Sequence, residues 1–156
     1  MGVSAAGSSS LGPGELAHAG VRGAVAAMAM TGMRAFTQDL DLVEETPPKA
    51  IFKQRAAGLR RRVPRNRRRA AVELAHWGYG AAGGVAFGLL PDGLRRREWA
   101  GPLYGLVVWL AFEGAIAPAL GLTQARKLRI GERLALAGDH LLYGFVLSET
   151  RRRPRE

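Results

Sequence analysis

The sequence predicts an all-α fold, a four-helix transmembrane bundle whose halves read as two tandem helix-pair repeats. Three observations predict it. Four windows of the 156-residue chain are almost free of charge, and three of them are as long as a membrane helix. The basic residues are crowded between these windows rather than spread along them. The pattern His-x-x-Tyr-Gly stands twice, as HWGYG at 76–80 and HLLYG at 140–144, in a chain with only three histidines.

In chain order, residues 1–15 are small and polar without a Lys or Arg, the composition of a disordered leader. No signal peptide is expected here, because the nearest positive charge, Arg22, lies inside the apolar stretch instead of before it. The windows 16–36, 70–90 and 102–122 are each apolar all round and match the ~20 residues that span ~30 Å of hydrocarbon. The window 134–148 is short, and crossing would require a thinned bilayer or arginines that snorkel. The connector 37–69 is polar, is broken by Pro47-Pro48 and ends in a dense run of arginine. PDGLRRREWAG opens with a turn signal, TQARKLRIGER reads as one or two surface helical turns, and 149–156 is a basic tail.

The net charge of +10, with 20 Arg among 23 basic residues, admits a soluble nucleic-acid-binding protein as a competing class. That class ranks last, since such a domain would carry amphipathic helices and GPLYGLVVWLAFEGAIAPALGL has no polar face; no nucleic acid is expected as a partner. The absence of cysteine removes disulfides, thiolate metal sites and Cys nucleophiles. No phosphate-binding Gly-rich loop with Lys, no Gly-x-Ser-x-Gly and no His-Glu-x-x-His occurs, so nothing marks an enzyme.

Topology follows from the basic residues. Ten Lys/Arg lie between Lys49 and Arg69, and four (Arg126, Lys127, Arg129, Arg133) lie between the third and fourth windows. The other side holds Arg95, Arg96 and Arg97 and the four arginines of the tail. The positive-inside rule therefore puts the first two groups in the cytoplasm and both termini outside, in a multi-pass protein of a bacterial plasma membrane. Arg60, Arg61, Arg62, Arg67, Arg68 and Arg69 are expected against anionic lipid headgroups, each contributing about 1 kcal/mol.

If the two pentapeptides correspond, so do the windows before them. GAVAAMAMTG (23–32) aligns without a gap on GLVVWLAFEG (105–114), matching Gly23 with Gly105, Val25 with Val107, Ala29 with Ala111 and Gly32 with Gly114. Two spans per half would relate the halves by a pseudo-twofold axis along the membrane normal. Gly20, Ala24 and Gly32 form a small-residue stripe of the kind used in helix contacts, and an oligomer is compatible with it.

The candidate site is the set of ionisable groups inside the windows. On that topology His76, Glu113 and His140 lie at similar depth and are expected to meet in the bundle interior, with Tyr79 and Tyr143 beside them. Glu73 shares the face of His76, and Asp139 neighbours His140. The preferred reading is structural: each His and its i+3 Tyr satisfy interhelical hydrogen bonds, while Gly80 and Gly144 allow close approach. The alternative is a small redox or ion-handling protein, with His76 and His140 ligating a haem, or a divalent metal with Glu113 as third ligand.

The segments VEETPPKAI, AHWGYGAAGGVAFGLLP, VVWLAFEGAIAPALGL and DHLLYG, in that order after a Gly/Ala-rich first helix, carry a family resemblance. Over about residues 20–148 the chain resembles small bacterial inner-membrane proteins related to YagU, the actinobacterial ones in particular. It departs from their Asn-Pro-Pro in the connector, where Thr46-Pro47-Pro48 stands instead. The resemblance implies an inner-membrane helical protein and transfers no catalytic or binding residue.

Overall fold

Four long helices make up the computed structural model, which describes residues 12–39, 63–119, 121 and 129–149. They are α1 (Pro13–Asp39), α2 (Arg68–Gly88), α3 (Ala100–Ala119) and α4 (Ile130–Glu149). A 3₁₀ turn, Arg65–Arg67, leads into α2, and one helical turn, Asp92–Arg95, lies between α2 and α3. No strand occurs among the described residues. Arg60, Arg61 and Arg62, most of the leader, the centre of the first connector and the tail lie outside them.

Two helices begin with the same device. Glu15 reaches back to accept the backbone N–H of Gly12 at 2.9 Å, ahead of Pro13 in the first helical position. Glu132 likewise accepts the N–H of Arg129 at 2.8 Å. That cap starts α4 four residues earlier than the expected window 134–148 and makes the helix 20 residues long, ~30 Å. The fourth helix is therefore not short. The end of TQARKLRIGER belongs to α4 instead of to a surface turn, because Glu132 caps the helix and is buried.

α1 packs antiparallel on α2 and on α4, and α3 packs antiparallel on α4. Two of these pairs are held at backbone contact by glycine. A Cβ on Gly23 would collide with the carbonyl oxygen of Gly80, and a Cβ on Gly84 with the carbonyl oxygen of Ala19. In the second pair a Cβ on Gly105 would collide with the carbonyl of His140, and one on Gly144 with that of Gly101. The positions matched between the halves thus do matching work. Gly23 meets Gly80 as Gly105 meets Gly144, Val25 and Val107 both point outward, and Gly32 and Gly114 both face open space. Tyr79 and Tyr143 break the match, the first being half exposed and the second buried.

The core is small and partly polar. Ala26, Ala27, Met30, Phe87, Tyr143 and Leu147 form its apolar cluster, and Arg34, Glu132 and Asp139 are buried beside it. Outward faces carry the bulk: Val21, Val25, Met28 and Phe36 on α1, Leu103, Val107 and Leu110 on α3, Leu134, Leu141 and Phe145 on α4. Among the described helices one, Ala100–Ala119, is long and apolar enough to cross a membrane, and little of it is buried. The expectation that the windows are apolar all round is corrected for α1, α2 and α4. Each of these carries ionisable residues on its inner face, Arg34, Glu73 with His76, and Asp139.

α3 is interrupted by a π turn, Phe112–Ile116, in which the N–H of Ala117 bonds the carbonyl of Phe112. Pro118 accounts for it. A proline lacks the N–H that would bond residue 114 and its ring crowds that carbonyl, and the wider turn relieves the clash.

Gly23→Ala and Gly144→Ala are each expected to destabilise the protein by ~1–3 kcal/mol, since the colliding neighbours are backbone and cannot rotate away. Gly78→Ala and Gly138→Ala, with nothing within 4 Å, should be neutral or slightly stabilising. Unfolding of the purified variants measured side by side checks the contrast.

Candidate functional site

The side chains that meet inside the bundle come from three helices. α1 brings Thr31 and Arg34, one turn apart on its inner face; α2 brings Glu73, His76 and Trp77; α4 brings Asp139 and His140. The glycine crossing of α1 on α2 sets α1 so close that Arg34 lies against α2 and α4 at once.

Arg34 is the hub. Its Nη2 lies 3.2 Å from His76 Nε2, and its Nε lies 3.7 Å from Asp139 Oδ2. A guanidinium only donates, so His76 Nε2 must present its lone pair and the imidazole is neutral with its proton on Nδ1. Arg34 and Asp139 are 6% and 2% exposed, so this ion pair is dry on both sides. At such depth a pair holds because each charge would be stranded without the other, not because it adds much stability.

Around the hub a second set of bonds ties α1 to α2. Trp77 Nε1 donates to Thr31 Oγ1 at 3.1 Å, and Thr31 has Glu73 Oε2 at 3.0 Å and the carbonyl of Ala27 at 3.2 Å as acceptors. Above the cluster Tyr143 donates to the carbonyl of Gly80 at 2.8 Å, and Tyr104 to that of Gly83 at 2.8 Å, joining α4 and α3 to α2. The absence of a side chain on Gly83 makes room for the Tyr143 hydroxyl.

The structure brings together part of the set expected from sequence. His76 and His140 lie within electrostatic reach of each other, and Tyr143 is buried one turn further along α4. Tyr79 is not in the cluster; it is 50% exposed, on the outer face of α2. Glu113 is not there either. It is half-buried in the π turn of α3, where the charge it feels is Arg133 on the first turn of α4. Among the described residues no group of three or more His, Asp or Glu could hold a metal ion. The His76 lone pair faces the Arg34 guanidinium, and His140 donates Nδ1–H to the carbonyl of Leu136 at 2.8 Å, which leaves the lone pair on its Nε2.

Sequence reasoning passed over Arg34 and gave Asp139 no partner. The signal was present: Arg34 is an arginine inside an apolar window with no neighbouring acid, and such a charge must find a buried partner on another helix.

Compared with known proteins, the chain matches no family model, no curated protein and no solved structure. The site is therefore read from its geometry alone.

Arg34→Met leaves Asp139 buried and uncompensated, and should cost roughly 3–5 kcal/mol, much of it recovered when Asp139→Leu is added. Tyr143→Phe should cost about 1 kcal/mol and Tyr79→Phe almost nothing, since only the first breaks a buried hydrogen bond. Denaturation of the purified variants reads all four, and equal effects of the two tyrosine changes would contradict the assignment.

Proposed function

We propose that this chain is an integral membrane protein of four spans, a bundle of two helix pairs with a structural or accessory role in a bacterial plasma membrane. The observation that carries the reading is where the bulk lies. Val21, Val25, Phe36, Leu103, Val107, Leu110, Leu134 and Phe145 point away from the bundle, while its interior combines Ala and Gly with a few larger side chains and an ion pair. A water-soluble bundle has the opposite arrangement, because outward bulk of this extent would drive association. In hydrocarbon the outward residues are solvated by lipid, and helices associate through small residues and interhelical polar contacts. α3 carries the membrane signal in its composition. α1, α2 and α4 reach a similar length with more Gly and Ala and with their ionisable groups turned inward.

The resemblance to YagU-related inner-membrane proteins points the same way, and we propose kinship with them. Exposed Arg65, Arg67 and Arg69 stand at the start of α2, on the side to which the positive-inside rule assigns the cytoplasm. Exposed Trp99, beside the start of α3, suits the opposite interface. On this reading the arginine run contacts anionic headgroups, and binding to vesicles should fall with added salt.

The test is fractionation. The protein should sediment with membranes and resist extraction by alkaline carbonate, and a reporter joined after Arg62 should behave as cytoplasmic. Recovery in the soluble fraction overturns the membrane reading, and an external reporter overturns the orientation.

A further inference from the structure

The cluster around Arg34 contains more negative than positive charge. Among the described residues, the helices packed against Arg34 bring the following groups. α1 contributes the guanidinium of Arg34, α2 the carboxylate of Glu73 and the neutral imidazole of His76, and α4 the carboxylate of Asp139 and the imidazole of His140, while the buried Glu132, two turns earlier on α4, accepts the N–H of Arg129. On α3 the charge that acts on Glu113 is Arg133, and Tyr104 donates to the carbonyl of Gly83. Among the described residues that act on Arg34, one guanidinium thus faces two carboxylates. In an interior that solvates charge poorly, a cluster with one excess negative charge is neutralised by a single proton, and the proton belongs to the group as a whole.

The hydrogen bonds show where it would reside. Among the described residues Asp139 Oδ1 is buried with no hydrogen-bond partner, while Oδ2 faces Arg34. Glu73 is only partly buried, has the Thr31 hydroxyl as donor and stands five residues from the start of α2. Arg34 sits between, nearer to His76 on α2 than to Asp139 on α4.

We propose that Arg34, Glu73, His76 and Asp139 form a one-proton binding site, loaded from water at the end of the bundle where α1 ends, with Asp139 as the acceptor. The proton's arrival selects the helix to which Arg34 is tied. A proton taken from water converts the Asp139 carboxylate to a neutral carboxyl, and the net charge of the cluster rises from minus one to zero. Arg34 then keeps Glu73 and His76, both on α2, as its partners. When the proton leaves, Asp139 reclaims the guanidinium and α1 is drawn toward α4. The site turns proton occupancy into a choice between two helix contacts, which is independent of whether lipid surrounds the bundle.

The experiment uses the full chain in lipid nanodiscs, with Trp99→Phe and Trp109→Phe so that Trp77, bonded to Thr31 at the edge of the cluster, is the only indole. Infrared difference spectra and Trp77 emission are followed from about pH 9 to about pH 4, the range over which perturbed carboxyl groups titrate. One protonated-carboxyl band should appear with a single-proton midpoint that the Trp77 emission shares. Asp139→Asn should abolish that band. Glu73→Gln, on a partly exposed side chain that tolerates the change, should lower the proton affinity about tenfold or more, because the remaining charges already cancel. No shared transition in the starting protein, a band that survives Asp139→Asn, or an unmoved midpoint in Glu73→Gln each overturns the proposal. Membrane extraction is unaffected by any of these outcomes, so failure here is distinct from failure of the membrane reading.

Discussion

Backbone-to-backbone contact at glycine is the constraint on which the rest of this bundle depends. Gly23 with Gly80 and Gly84, and Gly101 and Gly105 with Gly144, let each helix pair approach until one helix's carbonyls lie where the other's side chains would be. That proximity replaces the large apolar core that a bundle of this size would otherwise need. Among the described residues five of the eleven buried apolar residues are alanine, and the largest fully buried side chains are Leu136, Leu147 and Asp139. Close packing gains dispersion contacts and permits hydrogen bonds from side chain to backbone across the interface, as from Tyr143 to Gly80.

The same closeness explains why the polar cluster takes the form it does. With α1 pressed on α2, a long side chain leaving α1 near its end has no room to lie along its own helix. Arg34 crosses to His76 and Asp139, and it ties three helices with one charge. The cluster then serves specificity more than stability. Matching Arg34 to Asp139 fixes which face of α4 meets α1, and the bonds among Trp77, Thr31 and Glu73 fix the rotation of α2. The two halves share their glycine crossings and differ in their charges. Arg34 occupies the place that the aligned second half gives to Ile116. Two helix pairs with like glycine crossings and a polar site in one of them can keep their packing while that site alone is altered.

Some of this was legible from composition and spacing. The helices fall where the apolar windows fall, and Gly80 and Gly144 of the repeated His-x-x-Tyr-Gly both lie at helix crossings. The start of α4 was not legible, because Glu132 and Arg133 read as connector until Glu132 is seen to cap the helix. Glu113 lies in the π turn of α3, where Arg133 of α4 is the charge that acts on it, and depth counted along a helix does not say which side of the helix faces the bundle interior. Tyr79 and Tyr143 share a motif and yet face opposite ways, since only the second has a glycine, Gly83, opposite its hydroxyl.

The sequence by itself determined the helical class, the number of long helices, the glycines that bring them together and the sign of charge in each connector. These are properties of residues within one window, and periodicity, length and net charge express them directly. Only the tertiary structure decided the partners. Arg34 and His76 are 42 residues apart, and Gly80 and Tyr143 are 63 apart. Such pairs depend on the rotation of each helix about its own axis, which is set by many weak contacts at once. A buried charge announces in the sequence that it needs a partner; which carboxylate answers is settled by packing.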